Sequence, residues 1–192
     1  TELKSEYQYL AHKFGLQAMD ANQWRFLRLR PQNFPHIRIA QLAHLYYEQR
    51  AGLSQLLECE SVKQVRELLA TQVTHYWETH YVFGEKSAKS EKKLSAASLN
   101  LQIINTVAPI LFAYGKHKNS EKYCERAFDF LETLKAEENH IVRMWKEVGL
   151  MVETAGDSQA LIQLKKEYCD RKDCLRCRIG YEYLKGSSSI KG

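Results

Sequence analysis

Two stretches carry residue types that can do chemistry. The first holds Arg25, Arg28, Arg30 and Arg38, with His36 and His44 beside them, and no Asp or Glu falls between Asp20 and Glu48. A guanidinium donates two parallel hydrogen bonds from a planar fork, which suits it to phosphate. Trp24, Phe26 and Phe34 are interleaved with the arginines and can stack on bases. Pro31 and Pro35 make Arg30–Pro35 a stiff, non-helical elbow that would fix the forks in place. Arg25, Arg28, Arg30 and Arg38 are therefore the candidate polyanion-binding set, with nucleic acid as the partner. The same arginines can instead brace the elbow against helix ends or against carboxylates such as Glu137 and Glu138. Exposed, co-facing guanidiniums favour binding, and paired ones favour bracing.

The second stretch is Cys169-x4-Cys174-x2-Cys177. Three thiolates at that spacing can ligate zinc, with a fourth ligand completing the tetrahedron, and the same spacing opens a plant-type ferredoxin cluster. No Cys follows Cys177, Cys124 sits on an apolar stripe, and His117 and His140 are unplaced. The basic flanks suit a surface hairpin. Cys169, Cys174 and Cys177 are thus the candidate metal ligands, with zinc the candidate cofactor. Plain thiols packing a C-terminal hairpin, or a redox pair at Cys174 and Cys177, are the alternatives.

Elsewhere the chemistry thins out. His75, Glu78 and His80 lack the spacing of two histidines one helical turn apart, and their aromatic surroundings suit satisfied polar groups at a core edge. Asn100, Gln102 and Asn105 on an apolar helix need partners, for which backbone carbonyls near Pro109 are at hand. No nucleophile–base arrangement, phosphate-cradling glycine loop or carboxylate pair suited to a substrate is present, so no catalytic residue is assigned.

The elements that must position these groups read as helix after helix. Residues 2–14 put Tyr7, Leu10 and Phe14 on one face, with Gly15 as the cap. Helix resumes at Ile37, and Ser61 to Gln64 spells a capping box before Val62, Val65 and Leu68. Residues 74–84 suit a strand by propensity but lack a convincing partner, and 85–93 reads as a linker. The stretch from Leu99 to Phe112 is apolar almost all round and should be the central helix, kinked at Pro109 and stopped at Gly115. Helices over 120–134, 137–148 and 157–168 follow, the last capped by Asp157 or Ser158.

Composition agrees. The chain has 192 residues, 44% hydrophobic, with only 9 Gly and 3 Pro, which excludes wholesale disorder and argues against a turn-rich β-sandwich. The net charge of +5 permits a polyanion partner without demanding one. Five cysteines, odd in number and clustered, are unlike a secreted disulfide framework. Mean hydropathy is -0.49, and no apolar run reaches the roughly 18–20 residues of a membrane span. The expectation is a cytoplasmic all-α protein with no membrane partner. It would be a single multi-helix domain of antiparallel helices over 1–180, with a C-terminal Cys-containing hairpin and a flexible tail over 181–192.

Four stretches are also familiar as a set. They are WRFLRLRPQNFPHIRIAQLA at 24–43, YWETHYVFG at 76–84, AEEN at 136–139 with Trp145 following, and QLKKEYCDRKDCLRCRIG at 163–180. Together, in order, they resemble the bacterial domain-of-unknown-function family numbered 2851. The resemblance implies no established activity. It does imply longer relatives, with an additional N-terminal region similar to a restriction-endonuclease-type fold bearing acidic metal-binding positions. None of those positions exists here, and the sequence opens on Thr1 rather than Met. The chain is then expected to be the helical C-terminal portion, in contact with that missing region.

Three functions follow. The first is a non-catalytic helical module that binds or positions a nucleic acid for a catalytic region absent from this chain. The second is a purely structural or protein-interaction domain. The third is a metal-dependent enzyme using the Cys cluster, which lacks an accompanying general base in sequence.

Overall fold

A computed structural model describes residues 2–48 and 52–188. It is essentially all-α, as the periodicity indicates, with one small two-stranded sheet. The chain forms two compact units, 1–48 with 71–93 and 49–70 with 94–192, where one continuous domain over 1–180 was expected. Residues 181–188, expected in a tail, belong to a helix, and 189–192 lie outside the described residues.

In the first unit, helix α1 (Glu2–Phe14) ends where Gly15 takes φ +60, a left-handed conformation that costs glycine nothing. Its aromatic residues Tyr7, Tyr9 and Phe14 are all exposed. Helix α2 (Pro35–Tyr47) begins two residues earlier than the periodicity indicates. A residue before proline is pushed to extended backbone, and Phe34 obeys with ψ 143, leaving Pro35 as the first helical residue. Ile37, Ala40 and Val73 form the buried core, with Phe34, Trp77 and Tyr81 packed on it.

The ambiguous stretch resolves into one helical turn, α5 (His75–Glu78), then strand β1 (His80–Val82). Its partner is β2 (Glu85–Lys86), antiparallel, with His80 opposite Lys86 and Val82 opposite Glu85. Gly84 makes the turn at φ +78. A two-residue partner carries too little pattern to be legible as a strand.

The stretch expected as a linker is strapped down. Ser87 N–H donates to the Thr79 carbonyl at 2.7 Å and Ser90 N–H to the Glu78 carbonyl at 2.9 Å. Lys92 is only 2% exposed. Its Nζ donates to the same Glu78 carbonyl at 2.9 Å and lies 4.1 Å from the centre of the Tyr81 ring. Gln41 Nε2 closes the strap onto α2 by donating to the Lys92 carbonyl at 2.7 Å.

The Glu78 side chain faces Lys89 and His75, each at 3.1 Å. The hydrogen bond from Lys89, aided by the charges of Lys89 and His75, holds its carboxyl below the ordinary Glu range despite an opposing desolvation. A depressed folded-state pKa stabilises above the unfolded pKa and loses that contribution as pH falls through the folded value. The Tm advantage of the wild type over Glu78→Gln should therefore be full near neutrality. It should shrink as pH drops from the ordinary carboxylate range into the depressed one. An advantage that grows with acid would contradict this account.

In the second unit, α3 (Leu53–Glu58) and α4 (Val62–Leu69) precede a continuous helical run. That run is α6 (Ala96–Gln102), a widened π-type stretch over Ile103–Val107, and α7 (Ala108–Lys118). The irregularity falls just before Pro109, which has no N–H to give the Asn105 carbonyl and whose ring crowds it. The ladder slips to a five-residue spacing, Ala108 N–H reaching the Ile103 carbonyl. Asn105 Nδ2 donates to the Leu101 carbonyl at 3.0 Å, a backbone partner as expected, although Asn105 itself is exposed.

The run is long and apolar enough, at 23 residues, to match a membrane span in length and composition, contrary to the expectation that no stretch would. One face is core: Ile103, Ile104, Val107, Ala108 and Leu111 are all buried. The other leaves Leu101 and Ile110 exposed.

Gly115 does not stop this helix. Asn119, at φ 51 and ψ 40, supplies the left-handed cap. Gly115 is buried inside α7, where an added Cβ would lie 2.7 Å from Cys124 Sγ on α8 (Glu121–Thr133). It is the point where two antiparallel helices touch backbone to backbone.

The remaining helices close the unit. Phe130 and Leu134 join the core, and a short backbone pairing follows, Ala136 N–H to the Glu153 carbonyl and Ala155 N–H to the Leu134 carbonyl, each at 2.8 Å. Helix α9 (His140–Glu147) is capped by Asn139, and Val148 just beyond it is exposed. Helix α10 (Ala155–Leu164) is capped by Thr154, three residues before the expected position. Asp157 answers from within the helix, accepting from Thr154 N–H at 2.9 Å and Glu153 N–H at 3.0 Å. Those backbone donors hold its carboxyl below the ordinary Asp range.

Candidate functional site

The arginine elbow runs through the loop before α2. Phe26 turns inward, with its ring edge-on to Phe34 at 5.3 Å and 5.1 Å from His36. His36 in turn lies roughly parallel to Trp77 at 6.2 Å. These rings anchor the loop to the unit's own helices. Between the anchors, Phe26 to Leu29 makes a tight turn closed by Leu29 N–H on the Phe26 carbonyl at 3.2 Å. Leu27 at its tip is 85% exposed, and Arg28 takes φ 64. A non-glycine residue in that region costs roughly 1–2 kcal/mol. The loop therefore holds a long cationic side chain where glycine would sit without strain.

Arg25, Arg28 and Arg30 are exposed, and among the described residues none of the three has a carboxylate partner. The acids proposed as braces are engaged elsewhere, Glu138 with Lys146 at 3.2 Å and Glu137 with Gln159. Arg38 behaves differently. Its Nη1 donates to Gln41 Oε1 at 2.9 Å and its Nη2 to Asn33 Oδ1 at 2.6 Å. Burial lowers its pKa from the ordinary arginine value, but a guanidinium remains charged at neutral pH. Arg38 ties the elbow to α2 and thence, through Gln41, to the Lys92 strap. Two of its donors are thus spent on neighbouring amides, which sets it apart from the other three arginines.

Beside the arginine loop lies a cleft of ≈ 380 Å³, lined by Trp24, Phe26, Pro35, His36 and Ile39. The Nδ1 atom of His36 is buried without a hydrogen-bond partner. Phe34 gives the start of α2 no side-chain cap; its carbonyl accepts from Ile37 N–H at 3.0 Å and Arg38 N–H at 3.2 Å. His44 approaches Glu48 to 3.3 Å without the alignment of a hydrogen bond. His80 is buried under the Tyr76 ring at 4.0 Å and bonded to the Tyr76 carbonyl at 2.8 Å, so the His75–Glu78–His80 group is internally satisfied.

The cysteines are placed otherwise than their spacing suggests. All five are free thiols. Cys169 ends a π-type turn over Lys165–Cys169 and is exposed, Cys174 is exposed, and Cys177 is buried. Among the described residues no three of His, Cys, Asp or Glu are grouped to hold a metal ion, so Cys169, Cys174 and Cys177 do not form a ready-made zinc site. The reason is local. Cys177 N–H bonds the Asp173 carbonyl at 3.1 Å and the Cys177 carbonyl receives Tyr181 N–H at 2.8 Å, which ties Cys177 into the start of α11 (Arg178–Ser188). Gly180 sits so close to the preceding turn that a Cβ would lie 2.6 Å from the Cys174 carbonyl oxygen. The region is a tightly turned thiol hairpin.

One group in the second unit was not foreseen. Arg126 is 7% exposed, and its Nη1 donates to the carbonyls of Leu57 at 2.7 Å and Cys59 at 3.1 Å. It caps the last turn of α3 from α8, with Glu60 at 3.7 Å. The signal in the sequence is an arginine at helical spacing from Tyr123 and Phe130.

Compared with known families, residues 1–140 match the family described as a protein of unknown function, DUF2851. The chain belongs to DUF2851. The matched part of this DUF2851 member takes in the whole first unit, including the arginine loop and its cleft. The Cys hairpin, which resembled the family in sequence, lies outside the matched residues. No curated protein and no solved structure matches the chain.

Proposed function

We propose that the first unit is a polyanion-binding module, with nucleic acid as its partner and Arg25, Arg28 and Arg30 as its phosphate contacts. The observation that carries this reading is the Phe26–Leu29 turn. It accepts a strained backbone at Arg28 to project a guanidinium, and its neighbours Arg25 and Arg30 are exposed without carboxylates among the described residues. Strain retained at an exposed charged residue points to a use for that residue rather than to folding. The module has no catalytic group of its own in this reading. It holds the nucleic acid for chemistry performed elsewhere.

Fluorescence anisotropy against mixed-sequence DNA over a range of salt tests this. Each phosphate contact contributes about −0.9 (duplex) or −0.7 (single strand) to the log–log slope. The triple variant Arg25→Gln, Arg28→Gln, Arg30→Gln should flatten the slope by about two to three such contacts, with helicity unchanged. No binding at about 50 mM salt, where such contacts are strong, would end the reading.

Arg28→Gly gives a sharper check, because binding and stability should part. Glycine relieves roughly 1–2 kcal/mol of left-handed strain and costs roughly 0.5–1 kcal/mol in added unfolded-state entropy. Stability should hold or rise slightly while affinity falls. A variant that is clearly less stable would make Arg28 a brace.

A further inference from the structure

We infer that the cleft beside the arginine loop takes one unpaired nucleobase, so that the ligand of this module is a single-stranded nucleic acid. The inference rests on the polyanion reading and adds the part of the ligand that lies between phosphates. The cleft's ≈ 380 Å³ falls at the small end of ligand pockets, which run from roughly 300 to 1,000 Å³. That suits a single planar ring system rather than a folded peptide. Trp24, Phe26 and His36 line it with rings, and Ile39, which also lines it, is 48% exposed.

Aromatic faces and guanidiniums alternate along one short segment: Trp24, Arg25, Phe26, then Arg28 and Arg30. A strand whose base enters the cleft therefore brings its flanking phosphates to the arginines without leaving that segment. An apolar cleft alone would fit many occupants. Positive charge without a carboxylate partner among the described residues, on the same segment that lines the cleft, selects an anionic one.

His36 contributes its ring to the lining, held at 5.1 Å from Phe26 and 6.2 Å from Trp77. Duplex DNA is a poor occupant, because its bases are stacked on both faces and cannot enter a ring-walled cleft without being extruded.

The experiment compares the full chain's affinity for a short oligothymidylate with that for an abasic oligomer of the same length and charge, at about 50 mM salt. Oligothymidylate should bind at least about tenfold more tightly, within what one stacked base contributes. Ile39→Trp fills the cleft from its exposed side without changing charge. It should bring the two affinities together while leaving binding of the abasic oligomer unchanged. Equal binding of both oligomers by the wild type overturns the base cleft and leaves the polyanion reading standing. Failure of both to bind overturns the two together. Undiminished preference for oligothymidylate in Ile39→Trp moves the base elsewhere and overturns the assignment.

Discussion

Leu111→Ala should destabilise the second unit by about 3–5 kcal/mol, the upper part of the range for truncating a buried leucine. Leu111 is 0% exposed and lies in one cluster with Ile104, Val107, Ala127 and Phe130. How much such a change costs depends on how far the surroundings can collapse into the void. Here they can move little. The residues three and four positions back on its own helix are Ala108 and Val107, the first too short to reach in and the second stiff at χ1. Chemical denaturation of Leu111→Ala beside Ile110→Ala is the measurement, since Ile110 is adjacent in sequence but 38% exposed. The neighbour should lose much less. Equal losses would mean that burial does not distinguish the two faces of this helix.

Gly115→Ala should be nearly as damaging, for the opposite reason. A Cβ there would meet Cys124 Sγ at 2.7 Å, the Ser120 carbonyl oxygen at 2.9 Å and Cys124 N at 3.0 Å. Overpacking a tight site costs typically 1–3 kcal/mol. The upper end applies because two of the three obstructing atoms are backbone and cannot rotate away. The obvious rescue, Cys124→Ala, removes the sulfur but leaves the Ser120 carbonyl in place. A double-mutant cycle should therefore recover part of the loss and not all of it. Complete recovery would locate the whole clash at the thiol. No loss at all in Gly115→Ala would mean that α7 and α8 sit further apart than described.

Gly115 also marks where reading the sequence stops working. A glycine at the end of an apolar run is usually a helix stop, and nothing local distinguishes that from a glycine demanded by a neighbouring helix. Only the position of Cys124 decides it, and that is a tertiary fact. Thr154 was missed for a related reason. Asp157 has the chemistry of an N-cap, yet it serves as the inner member of the box, and the threonine three residues earlier takes the cap. By contrast Ser61 was legible, because its hydroxyl accepts from Gln64 N–H as the pattern requires, although the Gln64 side chain reaches back to Glu60 rather than to Ser61.

Arginines were legible as a group and not as individuals. Charge and spacing place all four on one elbow, but whether a fork points outward depends on what stands within reach. Arg38 has Gln41 one turn ahead on α2 and Asn33 behind and bonds both, so that Asn33, three residues after Arg30, is taken by Arg38. The thiols show the reverse failure. Their spacing encodes a possible ligand set, yet the turn and helix start between them separate exposed Cys169 and Cys174 from buried Cys177.

The two units are threaded through one another along the chain, since 49–70 interrupts the first and belongs to the second. On the ribosome the first unit therefore cannot complete itself until residue 93 has emerged, and α3 and α4 must wait for the long helix that begins at Ala96. No single truncation frees either unit whole. Cutting after Lys93 strands α3 and α4 without the segments they pack on, and starting at Thr71 leaves the second unit short of both helices. A separable binding module calls instead for excising 49–70 and joining Glu48 to Thr71 through a short flexible bridge.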